Sequence, residues 1–216
     1  MSYENFPKRR ILAFGDSNTY GYDPAAGRYG DGERWPCVLQ RLLGDGCTVL
    51  EEGLPGRTAV FDDPISEGLC GLDAIVPCMR THEPLDTVLI LLGTNDTKER
   101  FGCSAAMIAK GIARLAEKAL HTPAWRGAPD VLVVCPAPIV PAYRTRMFRD
   151  EMGAGCDEKA AALAAALRPL ALAAGARFAD AAAFPGVCVH PLDGMHLTRE
   201  AHAALAAGLA PLVRAE

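Results

Sequence analysis

The sequence predicts an α/β protein of three layers, α/β/α, with helices on both faces of a five-stranded parallel sheet in flavodoxin-like order. Three observations predict it. Short apolar runs recur along the chain and are continuous rather than alternating, as in strands buried on both faces. Most of them stop at a breaker: Gly15, Gly53, Gly93 or Pro136. The segments between them carry helical rather than strand signals, and strand–helix alternation implies parallel strands joined by crossovers. A length of 216 residues suits a single domain over 1–216.

The elements follow in order. Strands are expected at Arg10–Phe14, Thr48–Glu51, Thr87–Leu92, Val131–Cys135 and, more weakly, Ala176–Ala179. Helices are expected at Trp35–Leu43, at Ser104–Leu120 with Ser104 as its cap, and at Asp157–Ala174 with a kink at Pro169. A last helix, Arg199–Leu212, takes Thr198 as N-cap, and Pro211 should end it early. Tyr22–Arg34, rich in Gly, Asp and Pro, reads as an exposed loop. Pro136–Gly155 is a long insertion, equally readable as a lid, a contact surface or a solvated connector.

Composition excludes several function classes. Lys+Arg 22 against Asp+Glu 26 gives a net charge of −4 and a pI of about 5.8, so no nucleic-acid partner is expected. No apolar run approaches the roughly 20 residues of a membrane helix, so no membrane insertion is expected. The polar N-terminus has no signal-peptide core, which points to a cytoplasmic location. The 8 cysteines form no C-x-x-C pair, so no zinc site is expected; they are read as reduced, mostly buried thiols.

Ligands of open parallel sheets bind beyond the carboxyl ends of the strands. The segments found there are Gly15-Asp16-Ser17-Asn18-Thr19, Gly53-Leu54-Pro55-Gly56-Arg57-Thr58, Gly93-Thr94-Asn95-Asp96 and Asp193-Gly194-Met195-His196. Together they supply a hydroxyl, glycine backbone, an amide and a carboxylate near an imidazole, the set acyl transfer needs. Of the serines at 2, 17, 66 and 104, only Ser17 follows a buried strand directly. A serine in a turn or helix cap fits its spacing equally well. His196, three residues after Asp193, is the candidate base, and His190 is the rival without a carboxylate as close before it. Asn95 and the backbone N–H groups of Gly56 and Ser17 suit an oxyanion hole. Singly, Asn95 and Gly56 read as ordinary turn residues.

These four blocks, in order, resemble the SGNH hydrolases, the GDSL-like esterase/lipase superfamily. Glu51-Glu52-Gly53-Leu54-Pro55-Gly56-Arg57-Thr58, Asp62-Asp63-Pro64 and Leu92-Gly93-Thr94-Asn95-Asp96-Thr97-Lys98 are similar to its bacterial arylesterase/acyltransferase branch. The resemblance implies a catalytic triad of Ser17 as nucleophile, His196 as acid/base and Asp193 as its orienting partner. It also implies an oxyanion hole from Ser17, Gly56 and Asn95, no metal or organic cofactor, and a homo-oligomer. Two positions depart from the pattern. Asn18 stands where many relatives carry Leu, which suggests a more polar pocket floor. Glu51 stands where many carry Asn, which leaves the local hydrogen bonding open.

The function expected is that of a serine esterase on small, short-chain acyl esters. An acyltransferase passing the acyl group to an alcohol, a carbohydrate acetyl esterase, and a non-catalytic carbohydrate-binding protein are the alternatives. Trp35, Met147 and Phe148 are candidate pocket walls, with core or interface filling as the competing reading.

Overall fold

Every strand is short, and the central ones are apolar on both sides, so the sheet must be covered twice. The computed structural model describes residues 7–213. Its elements are β1 (Arg9–Gly15), α1 (Ser17–Tyr20), α2 (Trp35–Leu43), β2 (Cys47–Gly53), α3 (Gly71–Thr81), β3 (Thr87–Leu91), α4 (Ala105–Leu120), β4 (Val131–Cys135), α5 (Arg149–Met152), α6 (Cys156–Ala173), β5 (Arg177–Asp180) and α7 (Arg199–Val213). The strands are parallel, in the order β2-β1-β3-β4-β5. This is the flavodoxin-like order expected, with its switch point between β1 and β3.

Side-chain alternation divides the core. Leu12, Phe14, Val88, Ile90, Val131 and Val133 face α3, α4 and α6, where Ile75, Ile112 and Leu163 meet them. Ile11, Ala13, Leu89, Leu91, Leu132 and Val134 face α2 and α7, against Trp35, Leu39, Leu205 and Leu209. Register aligns the strand ends: Gly15 lies opposite Gly53 on one side and Leu91 on the other. The loops leaving these strands therefore begin on one rim.

Several details differ from expectation. Helix α3 escapes the sequence reading because Pro77 lies inside it and its buried face is only Gly71, Ile75 and Met79. Helix α6 runs through Pro169 to Ala173, since Ala171 beyond the proline is buried on the sheet. Helix α7 runs through Pro211 to Val213, whose side chain packs into the core and holds the last turn. The thiols are not mostly buried: Cys70, Cys135 and Cys156 are, Cys188 is exposed, and the other four are half-buried near the edges of the layers.

The two irregular stretches are anchored. In Tyr22–Arg34 the tip is exposed, but Tyr29 and Arg34 are buried. Arg34 clamps Glu51 with Nε to Oε2 at 3.0 Å and Nη2 to Oε1 at 3.3 Å. The open question at Glu51 thus resolves as an ion pair that ties this loop to β2. Pro136–Gly155 is no solvated connector. Ile139, Tyr143 and Met152 form a small core with Cys156 and Met195. The Tyr143 hydroxyl donates to Gly153 O at 2.8 Å and accepts from Cys156 N at 3.1 Å.

Removing that hydroxyl strands a buried N–H and a carbonyl. Tyr143→Phe should lower unfolding stability by about 1–3 kcal/mol, read from urea denaturation with unchanged m-value. Wild-type stability would mean the hydroxyl does not hold this segment.

Candidate active site

The first block turns sharply because β1 ends against its neighbours. A Cβ on Gly15 would fall on the Thr19 side chain and the Leu91 carbonyl, so only glycine fits between β1, β3 and α1. Asp16 then caps α1, accepting the Asn18 N–H at 2.9 Å. Ser17, the first residue of the helix, is 6% exposed at the rim. Its own N–H is among those a helix leaves unsatisfied.

The fourth block arrives from the other end of the chain. His196 Nε2 lies 2.8 Å from Ser17 Oγ, and His196 Nδ1 lies 2.6 Å from Asp193 Oδ2. Asp193 is fully buried, and its Oδ1 accepts the backbone N–H groups of Met195 at 3.0 Å and His196 at 3.1 Å. Burial opposes its charge. The His196 hydrogen bond and charge and the two N–H groups outweigh it and hold the carboxyl below its ordinary pKa. An ionised Asp193 takes the Nδ1 proton and leaves the Nε2 lone pair facing the serine hydroxyl. His190 is not the partner: its ring Nδ1 accepts the Leu192 N–H, at 3.1 Å.

Ser17, Gly56, Asn95 and His196 line one cavity of about 250 Å³. Gly56 has φ +85°, a left-handed value that glycine supplies without strain. Asn95 Nδ2 donates to Arg57 O at 3.1 Å, which orients its amide. Arg57 in turn donates to Gly15 O at 3.0 Å and to Glu52 O, beneath β1 and β2. One side chain thus braces the Gly56 turn against the strand that carries Ser17. Donors in this disposition can stabilise an oxyanion, and the hydroxyl–imidazole–carboxylate series can activate a nucleophile.

The walls differ from those expected. Phe148 lines the cavity, its ring edge-on to His196 with centroids 5.6 Å apart. Trp35 does not: it is fully buried between α2 and α7. Met147 is 58% exposed and points away from the lining. Tyr22, Leu69, Lys98, Glu151, Met152 and Met195 line it without having been singled out as walls. Tyr22 stacks obliquely on His196 at 4.5 Å. Lys98 is almost fully buried and is paired, as a buried charge must be, with Glu151 Oε1 at 3.0 Å and Asp63 Oδ2 at 3.5 Å. No periodicity marks these residues; only the apposition of loops brings them together. Among the described residues Asp62, Cys70 and Asp73 bring possible metal-ligating atoms within 4.8 Å of one another, but none of the three lines the cavity.

Residues 13–204 match the profile of the GDSL-like Lipase/Acylhydrolase family. The chain belongs to this family. As a GDSL-like acylhydrolase of the SGNH type it is an ester-hydrolysing enzyme. It is similar to Est24, a carbohydrate acetylesterase from Sinorhizobium meliloti, at 34% identity over 95% of this chain and 98% of that one, with a TM-score of 0.86. It is also similar to an M. smegmatis aryl esterase, at 36% identity over 95% and 98% of the two chains, again with a TM-score of 0.86. No curated protein matches the sequence.

Below the cavity this acylhydrolase buries two more carboxyls. Asp16 is pushed up to about 6, chiefly by burial, against the opposing pull of the Asn18 N–H and the His196 charge. Asp96 is pushed up to about 7 by burial and by the Asp16 charge, while its Oδ1 accepts the Ala59 N–H at 2.8 Å. Unfolded, both titrate near 3.8. In the window between, the folded state binds more protons, so their contribution to stability falls as pH rises from about 4 to about 7 and is level above. Asp193 acts oppositely, with stability lost as pH falls below its ordinary pKa. Asp96→Asn keeps an acceptor for Ala59 but cannot ionise. Urea unfolding at several pH values should show a shallower decline between pH 5 and 7 than in the wild type; equal slopes would contradict the assignment.

Proposed function

We propose that this esterase cleaves small, short-chain acyl esters through an acyl-enzyme on Ser17. The carrying observation is the unbroken series from Ser17 Oγ through the His196 ring to Asp193, at 2.8 and 2.6 Å. His196 Nε2 takes the hydroxyl proton as Oγ attacks the ester carbonyl. The carbonyl oxygen becomes an oxyanion, held by the N–H groups of Ser17 and Gly56 and the Asn95 amide. Each such donor is worth about 2.7–4 kcal/mol of barrier. The ester C–O bond breaks, and the imidazolium gives its proton to the departing alkoxide. Water then loses a proton to His196, attacks the acyl carbon and releases the acid, and Oγ recovers its proton.

A cavity of about 250 Å³ supports a small substrate, since drug-sized ligand sites run to about 300–1,000 Å³. The carbohydrate acetylesterase and aryl esterase that it resembles both fit this reading. We also infer a single catalytic domain, a homo-oligomer and a cytoplasmic location. Exposed Ile65 and Met147, next in sequence to the cavity-lining Ser66 and Phe148, support an apolar contact, and 8 unpaired cysteines suit a reducing compartment.

The purified protein should hydrolyse p-nitrophenyl acetate, and Ser17→Ala should lower kcat by about 10⁴-fold or more with the fold intact. Equal rates for the two proteins would remove the proposal.

A further inference from the structure

The residue after the proposed nucleophile is the one that departs from the pattern of many relatives, and it does not do what a polar pocket floor would do. Asn18 is 4% exposed and does not line the catalytic cavity. Its side chain lies on the far side, beside a closed gap lined by Leu91, Pro136, Ala181, Leu197 and Leu205. There it makes two hydrogen bonds. Oδ1 accepts the Leu197 N–H at 2.8 Å, and Nδ2 donates to Met195 O at 3.4 Å. Met195 and Leu197 are the residues on either side of His196.

We propose that Asn18 is a positioning residue that holds the His196 turn in register with Ser17 throughout the catalytic cycle. The inference rests on the function proposed above. Its logic is chemical. The direct contact between the two loops, Ser17 Oγ to His196 Nε2, depends on a hydroxyl proton. Once Oγ carries the acyl group, that donor is gone, yet His196 must remain in place to protonate the leaving alkoxide and then to activate water. The two bonds from Asn18 involve no reacting atom and persist through every step. The hydrogen bonds of Asp193 to Met195 N and His196 N shape the turn internally but do not connect it to Ser17. Val140 N donates to Gly194 O at 2.9 Å, tying the turn to the 136–155 segment instead. In apolar surroundings an amide finds no competing water, so both bonds are kept.

The test is a double-mutant cycle with p-nitrophenyl acetate. Asn18→Ala should lower kcat by about 10–100-fold, the scale of a small misplacement of a catalytic group, with KM changed by less than about 3-fold. Asn18→Leu, which fills the apolar gap without hydrogen bonds, should do the same and covers the case where the smaller variant folds poorly. In a His196→Ala background neither change should alter the residual rate by more than about 2-fold, because its target is gone. Wild-type kcat in both single variants overturns the inference. So does a loss that persists undiminished without His196, or a failure of both variants to fold, since either assigns Asn18 a scaffold role. If His196→Ala alone keeps the wild-type rate, the catalytic reading itself fails, which is a separate and recognisable result.

Discussion

A single hydrogen bond, from the Ser17 hydroxyl to His196 Nε2, joins residues 179 apart in the chain, and the rest of the structure exists to make it 2.8 Å long. One partner stands at the end of the second strand in the sheet, the other in the turn before the last helix. A parallel sheet solves the problem geometrically. All its strands release their loops at the same edge, and the register that sets Gly15 level with Gly53 and Leu91 brings three of the four blocks to one height. The fourth is delivered by the turn that precedes α7, which packs on the same face as α2.

The site is dry for its size, and polarity inside it is rationed by pairing. Lys98 is neutralised by Asp63 and Glu151, and Arg57 spends its guanidinium on the carbonyls of Gly15 and Glu52. Asp16 and Asp96 keep one oxygen bonded, to Asn18 N and Ala59 N respectively, and leave Oδ2 without a hydrogen-bond partner among the described residues. Such groups cost stability where they stand. They are concentrated under the turns that carry Ser17 and Asn95, where backbone must be held in place that no ladder of the sheet can reach.

Much of this was legible in the sequence. The strands announced themselves as apolar runs closed by glycine, and Ser17, Asp193 and His196 stood out as a hydroxyl after a buried strand and a carboxylate–imidazole pair before a capped helix. What stayed hidden has common physical causes. Helix α3 was masked by Pro77 because propensity alone argues against a helix that tertiary packing of Ile75 and Met79 sustains. Tyr22 and Phe148 come from loops distant in sequence, and no spacing rule states that their rings converge on His196. Trp35 read as a wall but is core, since an aromatic at the start of an amphipathic helix serves either end. Asn18 was visible as a departure, while the direction of its side chain, away from the cavity and toward the His196 turn, depends on neighbours that only the folded chain assembles.

Covalent labelling addresses the central claim most directly. After treatment with a fluorophosphonate, peptide mass analysis should locate one adduct on Ser17, and the labelling rate should collapse in His196→Ala while the protein stays folded. An unlabelled protein, an adduct on Ser66 or Ser104 instead, or labelling of Ser17 that proceeds equally fast without the imidazole would contradict a serine activated by His196.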